Sequence, residues 1–349
     1  IRLFLMVRKK INSKTGRRTQ MNHLVTLTTG QFADRDRETL AGKLEKLGYD
    51  GVELACWGKH LNIEKAYEDE DYLEHVKSIF DQHHLKIVTL STHLIGQCVS
   101  DLPDPRLNGF APKEIRNNPE EIKEWAVKTR KKSATVSRKL GVRVQAGFTG
   151  SPLWRYFYSY PQTTEERIEE GFRKVREDWL PILDTFKENA VKFALEVHPA
   201  EIAFDYYSTK RTLEVFHDRE EFGINFDPSH LLWQGIRPEA FLEDFIHRVY
   251  SVHRKDVKLS RSERGGLLGS YLPFGDNRRG WNFYTLGHGD VDFESIIRVL
   301  NRYGYKGPLT VEWEDSGRNR EQGRKESLEF VRKIDFAPSD VAFDAAIKN

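Results

Sequence analysis

Apolar runs of five to seven residues alternate along this chain with longer segments of helical period. The β-rich runs fall at 23–28, 51–55, 86–92, 142–146, 191–197, 223–227, 249–253 and 308–312. Between them, apolar positions recur at amphipathic-helix spacing over 36–48, 71–84, 119–140, 164–190, 208–219, 238–247, 292–303 and 321–333. Gly48, Gly141, Gly223 and Gly304 punctuate the boundaries. Several runs are continuously apolar, as strands covered on both faces of a parallel sheet are. Eight β–α units in about 330 residues predict an α/β fold of the (β/α)8 TIM-barrel type. A doubly wound sheet is the alternative, because periodicity does not report closure.

Three connections, 93–118, 147–163 and 256–290, are long and read as irregular. All three follow strands, so in a barrel they lie over the C-terminal face, where active sites are built. The second holds Phe148, Trp154, Tyr156, Phe157, Tyr158 and Tyr160. Such rings stack on sugars or planar aglycones, or pack as a lid or subunit interface. Trp154 is the candidate substrate contact among them.

Four strand ends in the second half carry metal-type ligands. FALEVHP offers Glu196, GINFDPSH offers Asp227, YSVHRKD offers His253 and PLTVEWED offers Glu312. Side chains alternate faces along a strand. Two residues before each ligand stand Ala194, Asn225, Ser251 and Thr310, all small or polar. The intervening Leu195, Phe226, Val252 and Val311 are apolar and belong against helices. The four ligands therefore point to one interior face. Unrelated polar strand ends would not share this parity.

Three carboxylates and one imidazole suit one divalent cation with open positions. Mn²⁺ is favoured, Mg²⁺ and Co²⁺ are possible, and Zn²⁺ is the poorer match because closed zinc sites prefer Cys and His. His198, His230 and Lys255 continue the same polar face and are candidates for moving protons or orienting hydroxyls. The alternative for each is a satisfied structural hydrogen bond. His93 and Glu53 are further candidates for touching substrate.

Composition narrows the partners. Residues 1–20 hold seven cations and no acid, and without them the net charge falls from +2 to −5. This segment reads as a basic extension ahead of one catalytic domain over 21–349, and the overall charge gives no case for nucleic-acid binding. No apolar run approaches the ~20 residues of a membrane span. Cys56 and Cys98 are the two cysteines, which fits a reducing, cytoplasmic compartment and core or loop thiols. No phosphate-cradling glycine loop is present. Arg318 and Arg320 could meet a phosphate or pair with Asp315 and Glu321.

At GYDGVEL (48–54), GFTGSPLW (147–154), ALEVHPAEIAFD (194–205), NFDPSHLLWQGI (225–236), VHRKD (252–256) and VEWEDSGRNREQG (311–323), the chain resembles the xylose-isomerase-like TIM-barrel superfamily of sugar phosphate isomerases and epimerases. The likeness runs from about Met21 to beyond Glu312. It implies one divalent ion on Glu196, Asp227, His253 and Glu312. In the ketose 3-epimerase branch, the two residues matching Glu196 and Glu312 are the acid/base pair and the one matching His230 binds substrate oxygen. The implied reaction removes a proton next to the carbonyl of a keto sugar or inosose-like substrate, giving isomerisation or epimerisation through an enediolate. Relatives that cleave C-glycosides are lyases on 3-oxo glycosides with a small second subunit, and on that alternative His198 or His93 is the base. An endonuclease-IV-like phosphodiesterase is the remaining alternative and needs more histidines. The expected partners are a small sugar or glycoside and further copies of the same chain.

Overall fold

The strands form where the apolar runs lie. The computed structural model describes residues 22–260, 264–341 and 344–347; the segment read as a basic extension, 1–20, lies outside them. Among the described residues, ten strands appear in chain order: β1 (Val25–Thr28), β2 (Gly51–Ala55), β3 (Lys86–Ser91), β4 (Val144–Gly147), β5 (Lys192–Glu196), β6 (Phe222–Phe226), β7 (Val249–Arg254), β8 (Asp256–Leu259), β9 (Trp281–Tyr284) and β10 (Leu309–Val311). Eight of them close a parallel barrel in the order β1-β10-β7-β6-β5-β4-β3-β2. The β1–β10 pairing, Val25 opposite Leu309, joins the first strand to the last and excludes the doubly wound alternative.

Outward strand residues meet the helices. Phe193 of β5 stacks on Trp179 of the helix Glu165–Glu188, with ring centroids 4.6 Å apart. Both are fully buried; burying such a side chain stabilises by ~1.5–3 kcal/mol. Helices begin on side-chain caps: Asn118 accepts from Glu121 N, Thr164 from Arg167 N, and Asp205 forms a reciprocal capping box with Ser208.

Two connections read as irregular are ordered. The 93–118 segment opens with the helix His93–Ser100. Gly96 within it is required by close approach, since a Cβ there would lie 2.0 Å from Phe148 O. The 256–290 segment holds β8 and β9, which pair antiparallel with Asp256 opposite Tyr284. Asp256 organises its return: Oδ2 accepts from Gly287 N at 3.0 Å and Gly289 N at 2.9 Å, and Oδ1 from Val291 N at 3.2 Å. Cys56 and Cys98 are buried free thiols, and Cys98 lies within the helix His93–Ser100. Among the described residues, no helix is long and apolar enough to cross a membrane.

Candidate metal centre

Register builds the site. β5, β6, β7 and β10 are consecutive neighbours in the barrel. Glu196 stands opposite Asn225, Asn225 opposite Ser251, and Thr310 opposite His253. Asp227 and Glu312 each fall two residues beyond a paired interior position, so the ligands climb the rim with the stagger of a tilted barrel. Ala194, Asn225, Ser251 and Thr310 are fully buried inside it.

The ligand atoms of Glu196, Asp227, His253 and Glu312 all lie within 4.8 Å of one another. His253 Nδ1 is 3.0 Å from Glu312 Oε2 and 3.3 Å from Glu196 Oε2. Asp227 follows β6 and caps the helix Pro228–Leu232, with Oδ1 accepting from Ser229 N at 2.8 Å. Its Oδ2 is buried without a hydrogen-bond partner. That oxygen is 3.2 Å from His230 Nε2 and 3.9 Å from Lys255 Nζ, ion-pair distances that miss hydrogen-bonding geometry. A buried carboxylate oxygen without a hydrogen bond, amid two further carboxylates, carries a desolvation cost. A divalent cation removes that cost, and three oxygens with one nitrogen are a fitting donor set.

Glu196 is the most heavily partnered ligand. Oε2 lies 2.9 Å from His93 Nε2 and accepts from Asn225 Nδ2 at 3.1 Å, while Oε1 is 3.4 Å from His230 Nε2. Burial alone would raise its pKa, but His253, His230 and His93 hold the carboxyl well below the usual range. Burial would likewise raise Glu312, which Lys255 and His253 bring down to about 2. Burial disfavours the charged forms of His253, His230 and Lys255, yet the facing carboxylates win. His253 is held well above the usual imidazole range by Glu53, Glu312 and Glu196, and His230 is raised to about 9 by Asp227. Lys255 is held up by Glu312, Glu314 and Asp227.

The remaining candidates divide. His93 joins the group through Glu196, with Ser91 Oγ 2.7 Å behind its Nδ1. Lys255 Nζ lies 3.4 Å from Glu312 Oε2 and 2.6 Å from Glu314 Oε2, over the Phe283 ring of β9 at 4.3 Å. His198 packs its ring edge-on to His230, centroids 4.0 Å apart, and donates Nδ1–H to Pro199 O. Burial, then the charges of His230 and Lys255, keep His198 well below the usual imidazole range. It is a neutral ring with its lone pair on Nε2. Glu196, His198 and His230 form a second group of ligand atoms with metal-like spacing.

Trp154 is not brought to the ligand group. It stacks on Phe157 at 4.7 Å and meets Phe204 edge-on at 5.3 Å, beside a cavity of about 520 Å³ between the loops after β4 and β5. Arg320 pairs with Asp34 through two 2.7 Å contacts and Arg318 with Glu326, so both guanidinium groups already face carboxylates. Glu53, read as a substrate contact, instead faces His253 Nε2 at 3.1 and 3.2 Å. Asn225 and Glu314 were not singled out as site residues. Their signal was there: Asn225 is polar at an interior strand position, and Glu314 lies two beyond Glu312.

The profile of the xylose isomerase-like TIM barrel family matches residues 41–334. The chain is 24% identical over 337 residues to the uncharacterised protein YfiH of Bacillus subtilis, covering 88% of this chain and 97% of that protein. It is 27% identical over 146 residues to an inosose dehydratase of Clostridium perfringens, covering 42% of this chain and 48% of the relative. Among solved structures, 3-keto-D-glucoside 4-epimerase of E. coli superposes with TM-score 0.64 at 13% identity, over 89% of this chain and 99% of that one. The IolI protein with a bound zinc atom superposes with TM-score 0.60 at 16% identity, over 89% and 97%. The chain belongs to the xylose isomerase-like TIM barrel family.

Proposed function

We propose that this chain is a divalent-metal-dependent isomerase or epimerase of a keto sugar or inosose-like substrate, acting by proton removal next to a carbonyl. The observation that carries the reading is the convergence of Glu196, Asp227, His253 and Glu312 within 4.8 Å, with Asp227 Oδ2 buried without a hydrogen bond. Relatives that act on inososes and keto glycosides support the substrate class. Manganese is the first choice of ion by donor type, and the zinc in the IolI structure makes zinc the second.

When bound, the cation supplies Lewis-acid polarisation of a substrate carbonyl. The chain's own residues do the rest. Glu196 and Glu312, ionised at neutral pH, are the two carboxylates placed to take the proton from one face and return one on the other. His93 and Asn225 hold Glu196 in one rotamer. Cationic Lys255 and His230 lie where they stabilise negative charge developing on substrate oxygen. Return of the proton to the same carbon from the opposite face gives epimerisation, and return to the neighbouring carbon gives isomerisation.

A second reading, elimination, is favoured by His198. Its Nδ1–H is committed to Pro199 O, so Nε2 is a base ready without prior deprotonation. Loss of the C–H proton to Nε2 with departure of the β-substituent forms the C=C bond, the leaving group taking up a proton to go as water in a dehydratase or as the neutral aglycone in a lyase on 3-oxo glycosides.

The test is incubation of protein loaded with Mn²⁺ or Zn²⁺ with ketoses, inososes and 3-oxo glycosides in D₂O. Deuterium is expected at the carbon beside the carbonyl. No deuterium and no product in any class, with metal bound, sinks the proposal. Product identity separates epimer from alkene.

A further inference from the structure

His253 presents its two nitrogens to different surroundings. Nδ1 faces the ligand group, with Glu312 Oε2 at 3.0 Å and Glu196 Oε2 at 3.3 Å. Nε2 faces away from it, toward both oxygens of Glu53 at 3.2 and 3.1 Å. Glu53 comes from β2, which is separated from β7 in the barrel by β1 and β10. Its side chain thus crosses the interior, and it is fully buried there. Parity explains the direction: Gly51, Glu53 and Ala55 share one face of β2, while Val52 and Leu54 belong to the apolar core. The β2–β3 pairing shifts register between Val52 and Glu53, an irregularity that re-aims a side chain.

A fully buried carboxylate without a counter-charge is costly. Glu53 therefore needs the N–H of His253 and fixes where that hydrogen sits. With Nε2–H donated to Glu53, Nδ1 is the nitrogen left to a metal, its own proton being displaced when a cation binds among Glu196, Asp227 and Glu312. We infer that Glu53 is a positioning residue for the metal centre: it locks the tautomer and ring orientation of His253 so that Nδ1 is the metal ligand, and strengthens that nitrogen as a donor. A carboxylate behind a ligating imidazole has this effect generally, and its loss costs 10–100-fold in metal affinity.

The inference rests on the metal-binding reading of the four ligands and not on the reaction. The experiment therefore uses metal alone. Mn²⁺ binding to wild type, Glu53→Gln and Glu53→Ala is measured by titration calorimetry, with circular dichroism and melting as controls for folding. The amide oxygen of Glu53→Gln still accepts Nε2–H, so that variant keeps the ring orientation and loses little affinity. Glu53→Ala loses about 10–100-fold. With Zn²⁺ bound, side-chain ¹⁵N spectra of wild type and Glu53→Gln show Nε2 protonated and Nδ1 coordinated; in Glu53→Ala that signature is lost or divided between tautomers. Wild-type affinity and spectrum in a folded Glu53→Ala variant overturn the inference and leave the function standing. Failure of the wild type itself to bind Mn²⁺ or Zn²⁺ overturns both.

Discussion

His93 Nε2 and Glu196 Oε2 lie 2.9 Å apart, joining the end of β3 to the end of β5 across the barrel mouth. The bond passes over β4, which separates the two strands in the sheet. It makes a residue of the long 93–118 connection a support for a metal-type ligand. Glu196 is the ligand on which most of the polar neighbours converge.

Glu196→Ala is expected to remove metal altogether. Elemental analysis of purified wild type should give one divalent ion per chain, and the variant none after dialysis. Metal retained at wild-type stoichiometry in Glu196→Ala would remove this residue from the ligand set.

His198→Gln separates acid–base work from metal binding. On the elimination reading, loss of this general base is expected to lower kcat by about 10²–10⁴-fold, and metal content should be unchanged. Burial and the nearby cations hold His198 below its usual range. Protonation of this ring therefore contributes no acid limb to the rate between about pH 6 and pH 8. An acid limb near neutrality that disappears in His198→Gln would contradict this.

Glu201 ties the loop after β5 to the loop after β4. Its Oε2 accepts from Thr149 N at 2.6 Å, Thr149 Oγ1 at 2.9 Å and Gly150 N at 2.9 Å. Oε1 has no hydrogen-bond partner, and burial pushes the carboxyl from 4.5 up to about 8. The folded state thus holds a proton that the unfolded chain releases. Stability from this group is full below about pH 4.5 and falls as pH rises towards 8, by up to about 1.4 kcal/mol per unit. Denaturant unfolding at several pH values should show this slope in wild type and not in Glu201→Gln. Equal slopes would assign the effect elsewhere.

Gly289 is pressed against the carboxylate that shapes the 285–291 turn. A Cβ there would sit 2.1 Å from Asp256 Oδ1 and 2.7 Å from Val257 O. Gly289→Ala should destabilise by about 1–3 kcal/mol, the range for overpacking. Gly266→Ala, where a Cβ meets nothing within 4 Å, should leave the melting temperature unchanged. A neutral Gly289→Ala would mean the turn yields freely.

Much of this was written in local patterns. The alternation of Ala194 with Leu195, and of Thr310 with Val311, gave the inward face of the strands because parity is local. What was not legible depends on pairing between distant segments. The segment after 249–253 reads as an irregular connection, yet β8 begins at Asp256 and finds its partner across more than twenty residues at β9. The helix His93–Ser100 is short and carries Gly96, so its periodicity is faint. Glu53 in GVELA reads as a candidate for touching substrate, because nothing in β2 says which imidazole it meets across the barrel. Trp154 was read from its ring, while its neighbours Phe157 and Phe204 decide its place.

The four candidate ligands occupy one contiguous arc of the rim, β5, β6, β7 and β10. The opposite arc, β1 to β4, supplies Glu53 from β2 and His93 from just beyond β3, and its β3 and β4 lead into two of the three long connections. On the proposed function, chemistry and recognition fall on different segments: exchange of 101–118 and 151–163 with those of relatives is expected to change substrate scope while the ligand arc and its two supports stay fixed.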